Sequence, residues 1–215
     1  KYSNVPLANI AAQISVGKSL NEFNIKKNNF KHYAVKKAVL PFKKFKDEKV
    51  FLGPEMKSTG EVMGIDNSTG SAFLKAMKSD GYNVPKKGTA FLSVNKSDRK
   101  GLVPIAETLI ELGFNLVATR GTCKFLKEYG IICDDMFKVG EGRPNVVDEI
   151  LNDNIQLVIN TPEGPQSRFD EEAIGKTSVM KNILTIISLS GARAAIDSMK
   201  HLNQISVKAL QEYFK

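Results

Sequence analysis

From residue 88 onward, short apolar runs alternate with longer segments in which apolar residues recur at helical spacing. Leu102, Ile105 and Leu109, for example, share one face of a predicted helix that ends at Gly113. The runs with strand character cover residues 89–94, 114–119, 136–139, 156–161 and 183–187. Strands that alternate with helices at short spacing predict an α/β fold, with a doubly wound parallel sheet and helices on both of its faces.

Helices are predicted between these strands and after the last one. They cover residues 98–112, 123–129, 171–180 and 189–199, with a terminal helix marked by Val207, Leu210 and Phe214. A further helix, between the third and fourth strands, has Pro144 in its first turn and an apolar side made of Val147, Ile150 and Leu151. Ser97 and Thr122 are the predicted caps of the first two helices, because a hydroxyl at this position accepts a bond from a free N–H group.

The first 80 residues follow a different pattern. A short helix is predicted over residues 6–16, strands over 33–40 and 58–65, and a helix from Asp66 or Ser68 to about residue 79. Residues 80–88 have the composition of a linker. We therefore predict two domains, residues 1–80 and residues 81–215. The chain begins with Lys and not Met, and we expect it to be part of a longer protein.

The positive charge belongs to the N-terminal segment. The net charge is +8, and residues 1–60 contain 12 Lys against 4 Asp or Glu, which leaves the remainder neutral. Most of this charge comes from Lys26, Lys27, Lys31, Lys36, Lys37, Lys43, Lys44 and Lys46. No nucleic-acid motif accompanies it, so we interpret it as a docking surface for acidic protein and expect no nucleic-acid partner.

The composition predicts neither a membrane protein nor a protein held together by disulfides or metal ions. No apolar run reaches the length of a membrane span, so no membrane partner is predicted. Cys123 and Cys133 have neither a metal-binding spacing nor a disulfide framework, which is typical of a reduced cytoplasmic protein.

The most informative turn is Ala118-Thr-Arg-Gly-Thr122, where a strand ends and a helix opens. Gly121 permits close approach of a ligand to the backbone. A helix start presents free N–H groups and the positive end of the helix dipole, which suits an anion. The alternative is an ordinary strand–helix turn with a threonine cap.

Other polar residues follow the carboxyl ends of the predicted strands. Because ligands of open α/β sheets bind beyond these ends, such side chains are expected to meet at one edge. Hydroxyls, an amide and cations are the groups that an anionic polar ligand needs. The residues concerned are Ser93, Arg99, Thr119, Thr122, Lys138, Asn160 and Thr161. Each one alone also fits a purely structural role.

Three motifs together resemble a known family. Glu141-Gly-Arg-Pro144 and Val158-Ile-Asn-Thr-Pro162, with the 118–122 turn upstream, are similar to the methylglyoxal-synthase-like domain. They most resemble the version at the C-terminus of the carbamoyl-phosphate synthetase large subunit. Residues 39–45 and 53–64 are similar to the end of the second ATP-grasp half of that subunit. The resemblance implies a Rossmann-type domain preceded by a small α+β remnant of an ATP-grasp lobe.

The resemblance also implies a function. The family makes carbamoyl phosphate from bicarbonate, ammonia and two ATP with Mg²⁺ or Mn²⁺, and a small subunit supplies the ammonia from glutamine. ATP and metal would bind in the upstream remainder of the large subunit, so this chain would hold no cofactor, no metal and no catalytic residue. Glu55 and Glu61 are interpreted as support for the ATP lobe.

The C-terminal domain in this family binds effectors such as UMP or IMP. The resemblance implies an effector site made of Ser93, Arg99, Thr119, Arg120, Gly121, Thr122, Lys138, Asn160, Thr161, Asp170 and Lys176. Asp170 would face sugar hydroxyls. Ile174-Gly175-Lys176 replaces a paired arginine stretch that is frequent in the family, which predicts weaker phosphate binding. Thr185-Ile-Ile-Ser-Leu189 departs from the run that helps bind ornithine, so ornithine control is not expected.

Two alternatives stay open. Methylglyoxal synthase itself eliminates phosphate from a triose phosphate and needs a carboxylate base, but its Gly-Asp loop is replaced here by Glu141-Gly-Arg-Pro144. The second alternative is an assembly module that forms contacts between copies of the chain and binds no effector.

Overall fold

The computed structural model describes residues 2–25, 30–40, 58–161 and 168–214. The N-terminal part contains helix α1, the antiparallel strands β1 and β2, and helix α2, with a 3₁₀ turn at Leu20–Glu22. Their bounds are Leu7–Ser15 for α1, Tyr33–Val39 for β1, Gly60–Asp66 for β2 and Thr69–Ser79 for α2. Ser68 caps α2 by accepting a hydrogen bond from the Ser71 N–H at 3.1 Å.

The remaining elements alternate between strand and helix, as predicted. They are β3 (Gly88–Val94), α3 (Arg99–Glu111), β4 (Phe114–Thr119), α4 (Arg120–Glu128), β5 (Asp134–Met136), α5 (Val146–Leu151), β6 (Leu157–Thr161), α6 (Arg168–Lys181), β7 (Leu184–Ile186) and α7 (Leu189–Met199). A 3₁₀ turn at Leu210–Phe214 stands where a terminal α-helix was predicted.

Strands β3 to β7 form one parallel sheet in the order β5-β4-β3-β6-β7. The chain forms the central strand β3 first, then β4 and β5 toward one edge of the sheet, and then β6 and β7 toward the other edge. This is the doubly wound topology. The crossover leaves an opening beside the carboxyl end of β3, between its neighbours β4 and β6. The predicted α/β fold is confirmed.

Helices cover both faces of this sheet. Residues of α2, α3, α4 and α7 pack with the larger apolar cluster on one face, which includes Leu92, Leu116 and Ile159. A smaller cluster on the other face joins Phe91 and Val158 to residues of α5 and α6. Burial of both faces explains why the central strands read as nearly continuous apolar runs.

The N-terminal part shares the larger cluster. Leu74 and Met77 of α2 are buried with residues of the parallel sheet and of α7. Lys37 of β1 forms an ion pair with Asp80, whose side chain is almost completely buried. The division at residue 80 stays a prediction, and α2 is the element that connects the two parts.

Helices α3 and α4 begin at residues other than those predicted. Helix α3 begins at Arg99, because the Asn95 side chain accepts bonds from the Ser97 hydroxyl at 2.6 Å and from the Asp98 N–H at 2.9 Å, which keeps this segment in a turn. Helix α4 begins directly after β4, at Arg120 and not after Thr122. Both predicted caps were wrong, since Ser97 bonds inside the loop and Thr122 lies within the first turn of its helix.

Several predictions fall outside the described residues. These are the parts played by Lys26, Lys27, Lys43, Lys44, Lys46 and Glu55, together with residues 41–45 and 53–57 of the family motifs. Among the helices that the structure describes, none combines the length and the apolar character needed to cross a membrane.

Candidate anion-binding site

A cavity of about 280 Å³ opens at the carboxyl ends of β3, β4 and β6. Its apolar lining includes Phe91, Val146 and Ile174, all buried. Its position beside β3 is the topological switch point of the sheet, where ligands of doubly wound folds bind. An apolar lining with polar groups at the opening is the usual composition of a small-molecule site.

Seven of the eleven predicted site residues line this cavity. They are Ser93, Arg99, Thr119, Lys138, Asn160, Thr161 and Asp170. They come from six separate elements or loops, and the sheet topology brings them together. Arg120, Gly121, Thr122 and Lys176 are not in the lining.

Arg99 carries a buried group with an unmet hydrogen-bonding requirement. Its Nε atom has no hydrogen-bond partner among the described residues, although it is shielded from solvent. Its guanidinium group lies against the first turn of α4, where a Cβ added at Gly121 would come within 2.7 Å of Arg99 Nη2. A buried donor without an acceptor is costly, so its presence in a cavity indicates a ligand that accepts hydrogen bonds.

Asn160 is a second buried polar residue of the cavity. It is 7% exposed, it lines the cavity, and its side-chain amide makes no hydrogen bond to any residue that the structure describes. The adjacent Thr161 is different, because its Oγ1 accepts bonds from the Asn95 N–H at 3.3 Å and from Asn95 Nδ2 at 3.4 Å. Asn160 therefore remains available to a ligand, while the Thr161 hydroxyl oxygen already has two protein donors.

The two threonines of the 118–122 turn have unequal access to the cavity. Thr122 is completely buried, and its Oγ1 accepts bonds from the Val94 N–H at 3.4 Å and from the Thr119 hydroxyl at 3.2 Å. Thr119 lines the cavity as the N-cap residue of α4, but its side chain makes no cap bond. The start of α4 therefore has no side-chain cap. No capping side chain competes with an anion for the N–H groups of its first turn.

The charge of the cavity lining is predominantly positive. Lys96, Arg99 and Lys138 contribute three cations against the single carboxylate of Asp170. Burial raises the pKa of Asp170 above its ordinary value, and nearby Glu141 acts in the same direction while Lys138 opposes it. A net charge of +2 suits a phosphate monoester, which carries about −1.5 to −2 at neutral pH.

The chain is similar to known proteins along its whole length. The family model described as "MGS-like domain" matches residues 101–187. The carbamoyl phosphate synthase large chain of Acidobacterium capsulatum is 46% identical over 98% of this chain. The "carbamoyl phosphate synthase large chain, C-terminal section" of Aquifex aeolicus is 40% identical over all of it.

Residues 101–187 form an MGS-like domain. The whole chain matches the C-terminal section of carbamoyl phosphate synthase large chains. It spans 20% of the length of the Acidobacterium relative and 44% of the Aquifex relative. Among solved structures, methylglyoxal synthase from Elizabethkingia anophelis aligns with 61% of this chain and 93% of its own, at 18% identity and a TM-score of 0.46.

The sequence did not predict two polar residues of the cavity, nor its apolar lining. Asn95 and Lys96 line it from the loop between β3 and α3. Their position directly after the buried end of β3 was the available signal. From the sequence, Ser97 was predicted to cap the helix, and the two loop residues before it were given no role.

A larger groove of about 550 Å³ lies on the outer side of α4 in the MGS-like domain. Arg120 lines it and is 3.7 Å from Asp135 through its Nε atom. None of the buried, unpartnered polar atoms of the described residues lies in this groove. We therefore place the candidate site in the smaller cavity. Lys176 is exposed on α6 and lies outside both.

The described residues contain no group of three or more His, Cys, Asp or Glu side chains placed to hold a metal ion. The chemistry available in the cavity is therefore that of cations, amides and hydroxyls, which bind anions and sugar groups. Asp170 is the one carboxylate among the described lining residues.

Proposed function

We propose that this chain is the C-terminal regulatory portion of a carbamoyl phosphate synthase large subunit and binds a nucleoside monophosphate such as UMP or IMP in the 280 Å³ cavity. The phosphate would lie between Arg99 and the first turn of α4, with Lys138 adding positive charge. Asn160 and Asp170 would accept or donate hydrogen bonds to the sugar or base. The bound nucleotide regulates the upstream enzyme and undergoes no reaction here.

The observation that carries the proposal is the buried Arg99 Nε, which has no partner among the described residues and shares one cavity with the buried residue Asn160. Arg99 Nε needs an acceptor, and the Asn160 amide can serve as donor and acceptor. A ligand with an anionic end and a polar end satisfies both. Structural roles account for Thr161, Thr122 and Asn95, but not for these two.

The larger protein is proposed from the similarity of the chain to its relatives. It would use two ATP and a divalent metal to make carbamoyl phosphate from bicarbonate and ammonia, as a cytoplasmic carbon–nitrogen ligase that serves pyrimidine and arginine synthesis. Its partners would be the remainder of the large subunit and the glutamine-hydrolysing small subunit. Because ATP would bind upstream, this chain alone is expected to form no carbamoyl phosphate.

The test is calorimetric titration of UMP and of IMP into the 215-residue chain and into Arg99→Gln. Loss of a hydrogen bond to a charged group costs about 1.5–3 kcal/mol, so the variant should bind roughly ten- to a hundredfold more weakly. Lys124→Gln is the control, because it removes one cation from the exposed side of α4 without touching the cavity. Absence of binding at several millimolar of either nucleotide would contradict the proposal and favour the assembly module.

One observation favours a second candidate, a lyase of the methylglyoxal synthase type. Asp170 is a carboxylate with a raised pKa that lines the cavity beside three cations, which is what a general base near a phosphate site requires. Formation of methylglyoxal from dihydroxyacetone phosphate, abolished in Asp170→Asn, would support it. Nucleotide binding without this turnover would support the regulatory proposal.

A further inference from the structure

Arg120 does not line the cavity, but its side chain contacts Phe137, which directly precedes the cavity residue Lys138. Its guanidinium carbon is 4.8 Å from the centre of the Phe137 ring, within the range of a cation–π interaction. Its Nε atom is also 3.7 Å from Asp135, but both of these side chains are more than half exposed. An exposed ion pair at this distance contributes little, so the aromatic contact is the more important of the two.

Phe137 is held by the loop that follows it as well as by Arg120. A Cβ added at Gly142 would lie 3.1 Å from two carbon atoms of the Phe137 ring, so the glycine backbone packs directly against the ring. Phe137 also forms an isolated parallel bridge with Asn145, the residue that caps α5. Residues 138–144 are therefore a loop whose two ends are joined and whose middle contacts the aromatic ring.

The same loop carries Lys138, one of the two exposed lysines that line the cavity. Lys138 follows Phe137 directly, and the Lys138 N–H donates to Glu141 at 3.2 Å while the Glu141 N–H donates to the Lys138 carbonyl at 3.1 Å. The Lys138 side chain forms no ion pair with any residue that the structure describes. Its direction toward the cavity consequently depends on the backbone of residues 137–141 and not on a partner of its own.

We propose that Arg120 is a positioning residue for the anion site: by packing on Phe137 it holds the 138–144 loop so that Lys138 faces the cavity. Arg120 is the first residue of α4, and the next residue, Gly121, contacts the Arg99 guanidinium. One turn of helix thus fixes two of the three cations of the cavity, Arg99 directly and Lys138 through Phe137. This inference rests on the proposed nucleotide site, although the contact itself does not.

The experiment compares Arg120→Ala with Lys124→Ala, which removes an equal charge from the next turn of α4 without a contact to Phe137. Two readouts are measured on the 215-residue chain: backbone ¹⁵N relaxation of residues 138–142 without ligand, and the Kd for UMP and IMP. We expect larger-amplitude motion of the loop and a three- to tenfold weaker Kd in Arg120→Ala, with neither change in Lys124→Ala.

Further variants separate positioning from general stability and from simple charge. Arg120→Lys keeps a cation that can lie over the ring and should restore most of the loop order, whereas Arg120→Gln should not. Arg120→Ala combined with Phe137→Leu should be no worse for Kd than Phe137→Leu alone, because both changes remove the same contact.

The two proposals can fail separately. If the wild type binds neither nucleotide while the loop becomes mobile only in Arg120→Ala and Arg120→Gln, the nucleotide site is refuted and the positional role of Arg120 stands. If loop relaxation is the same in Arg120→Ala and Lys124→Ala, the positioning role is overturned, whatever the Kd values are.

Discussion

At the scale of single residues, the sequence identified polar side chains at strand ends but could not say which of them are already satisfied. Asn160 and Thr161 are adjacent, both are buried and both line the cavity. Among the described residues, only Thr161 of the two has side-chain donors, and these come from Asn95, which is 66 positions away in sequence. Hydrogen-bond satisfaction depends on such distant partners, and residue type alone does not reveal it.

Asp170 gives a prediction at this scale. Since its pKa is raised by burial, the folded protein holds the proton more tightly than the unfolded chain, and the ionised carboxylate at neutral pH lowers the free energy of unfolding. The variant Asp170→Asn should therefore melt at a higher temperature than the wild type at pH 7. This difference should shrink at about pH 3, where the carboxyl is largely protonated in both states.

Asp134→Asn is the control for this comparison, because Asp134 is exposed on the edge strand β5 and does not line the cavity. Thermal unfolding followed by circular dichroism between pH 3 and pH 8 measures both variants. A wild type that is more stable than Asp170→Asn at pH 7 would show that the ionised carboxylate has a stabilising partner and would contradict the prediction.

At the scale of elements, periodicity predicted the order and type of the strands and helices of the parallel sheet, whereas two helix starts were wrong. Propensity favours a threonine cap at Thr122, but the buried Val94 N–H requires an acceptor, and the Thr122 hydroxyl supplies it from inside α4. The side-chain bonds of Asn95 had the same effect on the start of α3. Tertiary hydrogen bonds thus moved both boundaries.

Helix α4 provides the prediction at this scale. In Gly121→Ala the new methyl group would lie 2.7 Å from Arg99 Nη2, so the guanidinium group must move away from the helix start. The clash involves the end of a flexible side chain, and alanine is a better helix former than glycine by about 0.8–1 kcal/mol. We therefore expect unchanged or higher thermal stability together with roughly tenfold weaker nucleotide binding, as for a lost bond to a charged group.

Gly60→Ala is the matched control, because a Cβ at that position meets no atom within 4 Å and Gly60 is not in the cavity lining. Melting temperature and calorimetric Kd are measured for both variants. Equal Kd values in Gly121→Ala and the wild type would mean that Arg99 does not contact the ligand from its position over the helix start.

At the scale of the whole molecule, composition predicted a domain boundary near residue 80, whereas apolar residues from both sides of this boundary pack in one cluster. The break was inferred from glycine, proline and lysine in residues 80–88, which describe the local chain and not its contacts. Leu74 is completely buried in the cluster that also contains Leu92 and Ile196. Amphipathicity showed that α2 has an apolar face but not that α7 covers it.

The shared cluster leads to the last prediction, made with Leu74→Ala in the 215-residue chain. Removal of a fully buried leucine side chain costs about 2–5 kcal/mol. If the two sides of residue 80 unfold together, amide hydrogen exchange should accelerate to the same degree in β1–β2 and in the central strands β3 and β6. Lys36→Ala is the control, since Lys36 is exposed on β1 and its ion pair with Glu61 is also exposed, so exchange should hardly change. Acceleration confined to residues 33–80 in Leu74→Ala would instead show that two independently stable domains meet at residue 80.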